Sequence, residues 1–273
     1  MHLRLAKLSL NKFFEWRDAP GGEFAVIGDP IAHSLSPNMF HEAFRRQNLS
    51  FTYNRIRVPE TEFDAALDHF SHLGYIGINV TSPLKELAFC WAGSHEPDVS
   101  GSDSANCLRL LDSRANNTDI AGIKYLINSS NIQGKKALII GYGGAARSVI
   151  CALKDNFELS LWARNAQVAK NLDSMVRFQS ELALEGFDLI IHATSAYRHG
   201  GNLEFNAASI DPNATLLDLD YGISGKTPFL NLFDDSFSKI DGSKMLVKQG
   251  ALAFKWWTEL EISEEAMEAG LCL

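Results

Sequence analysis

Cysteine is scarce and dispersed: Cys90, Cys107, Cys151 and Cys272 form no Cys-x-x-Cys pair. That excludes a disulfide framework and a thiolate zinc site, and no metal is expected. Positive charge is also in deficit. Lys and Arg number 25 against 33 Asp and Glu, a net charge of −8, which argues against a nucleic-acid partner held by phosphate neutralisation. No apolar run approaches the roughly 20 residues needed to span a bilayer. The N-terminal leucines are interrupted by Arg4, Lys7 and Lys12 instead of forming a secretory core, so a cytoplasmic protein with no membrane partner is expected. Repeats and charge blocks are missing, and with Gly at 20 and Pro at 8 the chain is not a low-complexity sequence.

What remains is an ordinary globular composition, 46% hydrophobic and 21% charged over 273 residues. At roughly 150 residues per domain this suggests two domains. Residues 1–23 end in the breaker run Asp18-Ala19-Pro20-Gly21-Gly22 and read as an appendage. From Phe24 the pattern alternates: a strand at Phe24 to Ile27, a helix opened by Ser36 as cap and Pro37, with Asn48 as its stop, a strand from Phe51 to Val58, a helix presenting Phe63, Ala66, Leu67 and Phe70, and a strand from Ile76 to Val80. Thr81 and Ser82 can cap the next helix with Pro83 in its first position, which puts Lys85 in the first turn, where the helix dipole disfavours a cation. Another helix starts at Thr118-Asp119 and turns Ile120, Ile123 and Ile127 inward. After the polar stretch Asn128 to Gln133, strands are expected at Lys136 to Ile140, Leu159 to Trp162, Phe187 to His192 and Thr215 to Leu219. A last helix over about Ser243 to Leu260 spaces Leu246, Ala253, Trp257 and Leu260 along one apolar stripe. Strands alternating with helices imply parallel sheet covered on both faces, an α/β fold class.

The sharpest chemical signal is Gly141-x-Gly143-x-x-Ala146 between a strand and a helix. In a dinucleotide-binding turn the first glycine makes the bend and the second admits the pyrophosphate. The third small residue lets helix and strand close up, and the helix N-terminus adds a positive dipole. At the end of the second strand of such a unit a carboxylate grips a ribose 2′-hydroxyl, whereas an arginine accepts a 2′-phosphate. Here the residues are Trp162-Ala163-Arg164-Asn165, so NADP is favoured and NAD stays open.

Gly28-Asp29-Pro30-Ile31-Ala32-His33-Ser34-Leu35-Ser36-Pro37, Gly77-Ile78-Asn79-Val80-Thr81-Ser82-Pro83-Leu84-Lys85 and Asn117-Thr118-Asp119 closely resemble, in order, signature segments of the shikimate dehydrogenase family. The likeness continues through Gly141 to Ala146, Ala193-Thr194-Ser195, Lys226-Thr227-Pro228-Phe229 and Met245-Leu246-Val247-Lys248-Gln249-Gly250. The resemblance implies an N-terminal α/β substrate domain over 24–130, completed by 243–273, and a Rossmann-like dinucleotide-binding domain with parallel sheet over 131–242, the reaction lying in the cleft. It implies reversible reduction of 3-dehydroshikimate to shikimate with NADPH. It further implies Lys85 and Asp119 as the catalytic pair and Ser34, Ser36, Asn79, Thr81, Asn106, Tyr221 and Gln249 around the substrate. Gly141, Gly143, Gly144, Ala145, Ala146, Arg164, Asn165, Thr194, Ser195, Gly242 and Met245 would contact the cofactor.

Elementary chemistry agrees with the pair. Ketone reduction requires a hydrogen-bond donor where alkoxide charge develops, an ammonium suits that role, and a carboxylate can orient it and share the proton. Which of Lys85 and Asp119 is the immediate donor stays open. So does the bland reading of the amides of Asn79, Asn106 and Gln249 as satisfied core groups, while His33 and His192 read as structural. The sequence departs from the family pattern at Ala163-Arg164-Asn165, where an Asn-Arg-Thr run is usual, at Val168 for a basic residue, at Cys107 for threonine, at Ile120 for glycine and at His192 for asparagine. The stretch from Asn106 to Asn117 is short, suggesting a trimmed hairpin. Oxidation of quinate or shikimate with NAD, a divergent paralogue acting on another cyclic hydroxy acid, and a silent nucleotide-binding regulator are the alternatives. Monomer and homodimer are both open.

Overall fold

In a computed structural model the described residues are 12–99, 101–167, 174–194, 203–205, 209–222 and 226–272. Two compact units divide the chain: one comprises residues up to Thr118 together with Leu246–Leu273, the other Asp119–Met245.

The first unit is built on strands β1 (Phe14–Glu15), β2 (Phe24–Gly28), β3 (Tyr53–Arg57), β4 (Gly77–Val80), β5 (Ser94–His95), β6 (Cys107–Arg109) and β7 (Arg114–Asn116), in sheet order β1-β3-β2-β4-β6-β7-β5. The part from β1 to β4 is parallel, and β6 runs antiparallel to both β4 and β7. The sheet is therefore mixed, not wholly parallel. Only Leu110–Ser113 separates β6 from β7, which forces a local antiparallel return, because a parallel crossover needs a dozen or more residues.

Period-two alternation distributes β2 between two cores. Ala25 and Ile27 join Phe63, Ala66, Leu67 and Phe70 of helix α2 (Phe63–His72), whereas Phe24 and Val26 face Met39, Phe40, Ala43 and Phe44 of α1 (Ser36–Gln47). Helices α6 (Ser243–Thr258, of this unit from Leu246) and α7 (Glu264–Leu271) complete that second face through Phe254, Trp257, Ala266 and Met267. The sequence did not announce α7. Its cap is Ser263, whose hydroxyl accepts the Ala266 N–H.

Two helix starts differ from expectation. Leu35 is the N-cap of α1, so Ser36 is its first residue and does not cap it. Helix α3 (Lys85–Trp91) begins at Lys85, after a turn in which Leu84 N–H donates to Thr81 O at 3.0 Å. Thr81, Ser82 and Pro83 thus precede that helix. From Lys12 on, the N-terminal segment is no loose appendage either, since β1 joins the sheet edge and Trp16 and Ala19 enter the core.

The second unit holds α4 (Thr118–Ser129, from Asp119 on), β8 (Lys136–Ile140), α5 (Gly144–Leu153), β9 (Glu158–Trp162), β10 (Val176–Gln179), β11 (Leu189–His192), β12 (Thr215–Asp218) and β13 (Ser238–Ile240). Strand order is β10-β9-β8-β11-β12-β13, every pairing parallel. Order reverses direction at β8, the place where open α/β sheets bind ligands beyond their carboxyl ends. Ala137 and Ile139 pack with Ile123, Val149 and Leu153, and Leu138 and Ile140 with Ile190, Leu216 and Phe229, so both faces are covered. Among the described residues no helix is long and apolar enough to cross a membrane.

Candidate active site

In the first unit a buried polar cluster gathers several of the expected substrate residues. Asn79, on β4, accepts the Tyr53 hydroxyl at 2.6 Å and donates to Asn106 O at 3.2 Å. Asn106 accepts the Thr118 N–H at 2.8 Å through Oδ1 and donates through Nδ2 to Gln249 Oε1 at 3.1 Å. Gln249 in turn donates to Leu246 O at 2.8 Å. At 3% and 7% exposure, Asn106 and Gln249 are held in single orientations by these partners. One cluster therefore ties β4, β6, the start of α4 and α6 together.

Lys85 is half-buried at the first position of α3, and its carbonyl accepts the Ala105 N–H at 2.9 Å, next to Asn106. Asp119 is buried in the first turn of α4 and immediately follows Thr118, the residue that Asn106 caps. Ser34 and Ser36 are buried in and just after the loop from Asp29 to Leu35, with the Ser36 N–H 3.4 Å from Ser34 Oγ. Thr81 is half-buried and its N–H donates to Ile27 O at 2.9 Å. Tyr53 and Thr118, which join this cluster, were not among the expected site residues. Their signal was a polar side chain within a strand or helix start that otherwise reads as core.

In the second unit the loop after β8 has the geometry that a dinucleotide requires. Gly141 has φ +118°, and a Cβ there would lie 2.7 Å from Ala193 O, so only glycine makes this bend beside β11. Over Gly143, by contrast, a Cβ would meet no atom within 4 Å. That is open ground at the N-cap of α5, where Gly144 and Ala145 begin the helix and Ala146 is buried. Trp162 ends β9, Arg164 and Asn165 follow it exposed, and Asn165 Oδ1 accepts the Gln167 N–H at 3.0 Å. No carboxylate stands at that strand end, so the residues fit a dinucleotide carrying a 2′-phosphate.

Thr194 and Tyr221 are half-buried, Gly242 is buried with its N–H on Asp220 O at 2.9 Å, and Met245 packs into this unit's core. The Tyr221 N–H donates to Asp220 Oδ1 at 2.7 Å. Ser195 and Val168 lie outside the described residues. His192 is buried, donates from Nδ1 to Asp218 Oδ1 at 2.8 Å, and stacks on Phe229 at 4.7 Å between centroids.

Comparison with known proteins decides the family. The family model for the shikimate dehydrogenase substrate binding domain matches residues 26–108, and that for the shikimate 5'-dehydrogenase C-terminal domain matches residues 242–271. The shikimate dehydrogenase (NADP(+)) of Methanothrix thermoacetophila is 34% identical, the match covering 91% of this chain and 96% of that protein. The chain belongs to the shikimate dehydrogenase family. Among solved structures, shikimate dehydrogenase from Aquifex aeolicus superposes with a TM-score of 0.83 at 27% identity, covering 92% of this chain and 97% of that one. The Thermus thermophilus enzyme in complex with NADP(H) and shikimate gives 0.79 at 28% identity, covering 91% and 98%. Shikimate dehydrogenase membership accounts for the division into a mixed-sheet unit and a Rossmann-like unit.

Proposed function

We propose that this chain is an NADP-dependent shikimate dehydrogenase, interconverting 3-dehydroshikimate and shikimate. Ser34, Ser36, Asn79, Thr81, Asn106 and Gln249 of the first unit bind the acid, and Tyr221 is a further substrate ligand by the family resemblance. The observation that carries this reading is the buried Asn79–Asn106–Thr118–Gln249 cluster, whose amides are fixed by mutual hydrogen bonds beside the backbone of Lys85. Gly141, Gly143, Gly144, Ala145, Ala146, Arg164, Asn165, Thr194, Ser195, Gly242 and Met245 would hold NADP(H), which supplies a hydride equivalent when bound.

The chain's own residues handle the rest. Ser34 and Ser36 hydrogen-bond the carboxylate of the substrate and set the orientation of its ring. Asn106 and Gln249 present amide groups to ring hydroxyls at almost no ordering cost, because both are already locked. Lys85 donates a hydrogen bond where negative charge develops on the carbonyl oxygen, and Asp119 orients that ammonium and shares the proton.

The test is spectrophotometric, following reduced nicotinamide with shikimate or quinate and NADP+ or NAD+. Shikimate with NADP+ is expected to give the highest kcat/KM. If NADP+ binds yet no combination turns over, the regulatory alternative replaces this reading. Arg164 further predicts an NADP/NAD efficiency ratio above one, which Arg164→Ala should narrow by about 10–150-fold, since a charge-assisted contact to a phosphate is worth roughly 1.5–3 kcal/mol. An unchanged ratio would leave Arg164 as a solvated surface side chain.

A further inference from the structure

The N-terminal segment lies outside the matched family regions, yet it is wired to the loop that carries Ser34. Strand β1 pairs in parallel with β3, Phe14 opposite Ile56 and Glu15 opposite Arg57. The turn after it is anchored on the far side by Trp16, which packs edge-on against His69 of α2 at 5.8 Å, and by Arg17, which makes two hydrogen bonds to the Glu62 carboxylate at 2.8 and 3.0 Å. Tyr75 adds a hydrogen bond from its hydroxyl to Pro20 O at 2.8 Å.

Two arginines of β3, two residues apart and so on the same side of the strand, each reach in two directions. Arg55, only 4% exposed, donates from Nη1 to Lys12 O at 3.4 Å and from Nη2 to Ser34 O. Arg57 donates from Nη1 to Glu15 Oε2 at 3.2 Å, while its Nε and Nη2 clasp the Asp29 carboxylate at 2.8 and 3.1 Å. Asp29 opens the loop between β2 and α1, and Ser34 lies one residue before its end at Leu35. Each guanidinium therefore spans from the N-terminal segment toward one end of that loop.

We propose that Arg55 and Arg57 are positioning residues for the substrate's carboxylate site, and that residues 12–19 are the strap that holds them in place. The inference rests on the reading of Ser34 and Ser36 as carboxylate ligands. Each guanidinium bonds its partners through different nitrogens of one planar fork, Arg57 gripping Asp29 bidentately, a spread that the single nitrogen of an ammonium does not match. Arg55 also contributes charge: a buried cation whose Nη2 lies on the Ser34 carbonyl favours an anion at the adjacent hydroxyls. Its field is felt locally, since the His41 imidazole is held below its ordinary value first by burial and additionally by Arg55.

Arg55→Lys, Arg57→Lys and Glu15→Gln test the strap by steady-state kinetics and by hydrogen exchange of the Asp29, Ser34 and Ser36 amides. For Arg55→Lys the KM for shikimate should rise about 10-fold, with kcat and the KM for NADP+ within about twofold of wild type. The three loop amides should exchange about 10-fold faster while the amides of β8 to β13 keep their protection. Arg57→Lys and Glu15→Gln should give smaller shifts of the same pattern. Equal rises in both KM values, or unchanged loop exchange with an unchanged shikimate KM, would overturn the proposal. If wild-type protein fails to oxidise shikimate, the functional reading falls by itself, and loop exchange alone then decides the strap: acceleration in Arg55→Lys keeps it and no change removes it.

Discussion

Lys85→Ala is expected to lower kcat by about 10²–10⁴-fold while the affinity for NADP+ stays within about twofold of wild type. The magnitude is that of one well-placed proton donor in a carbonyl reduction. The side chain gains its precision from the backbone beneath it: a turn from Thr81 to Leu84 delivers Lys85 to the first position of α3, and its carbonyl is tied to Ala105 N–H. Removing the ammonium leaves those backbone bonds intact, so the loss should fall on turnover and not on folding. Cofactor affinity, measured by fluorescence titration, should hold because Lys85 belongs to the first unit and the glycine turn to the second. Lys85→Arg sharpens the comparison. It keeps the positive charge but holds its proton too tightly to transfer it, so its turnover should stay far nearer to Lys85→Ala than to wild type. Parallel losses of turnover and NADP+ affinity in Lys85→Ala would instead mark the residue as structural.

The dinucleotide turn was legible because its requirement is local. A bend at positive φ, open space at a helix N-cap and a buried small residue are each read from a single position, and Gly141, Gly143 and Ala146 meet them in order. The parallel strands β8, β9, β11 and β12 were legible for a similar reason, since strands buried on both faces read as continuous apolar runs. The polar cluster proposed to bind substrate was visible only as a resemblance, because it joins Asn79, Asn106, Thr118 and Gln249 across long stretches of chain and no periodicity links amides 143 residues apart. Helix starts failed where a side chain able to cap was preempted: Thr81 lies in the turn before α3, and Ser36 is already inside α1. Strand β1 was missed since two residues cannot display alternation, and its pairing with Ile56 and Arg57 is fixed by contacts some forty residues away.

Gly77 and Trp257 form the pair whose disruption should cost the first unit most. A Cβ at Gly77 would lie 2.3, 2.4 and 2.6 Å from three atoms of the Trp257 indole, so the ring lies directly on the backbone of β4. Trp257 is 7% exposed, stacks on Phe24 at 5.1 Å and donates from Nε1 to Leu108 O at 3.0 Å, which docks α6 across β2, β4 and β6 at once. Truncating it removes a large buried ring together with its Nε1 hydrogen bond and leaves a cavity, an expected loss of about 3–5 kcal/mol. Gly77→Ala should cost about 1–3 kcal/mol, because the indole must shift and Phe24, itself backed by Phe254, blocks its retreat. The double variant separates packing from propensity. With the ring gone the three atoms nearest the new methyl are removed, so Gly77→Ala/Trp257→Ala should be about as stable as Trp257→Ala alone, a large favourable coupling in denaturant unfolding. Additive losses would show that the indole is not what requires glycine at this position. The same displacement reaches the site, since α6 carries Gln249 and β4 carries Asn79, both hydrogen-bonded to Asn106. Gly77→Ala should therefore raise the KM for shikimate at temperatures where the protein is still fully folded, while the KM for NADP+ is unchanged.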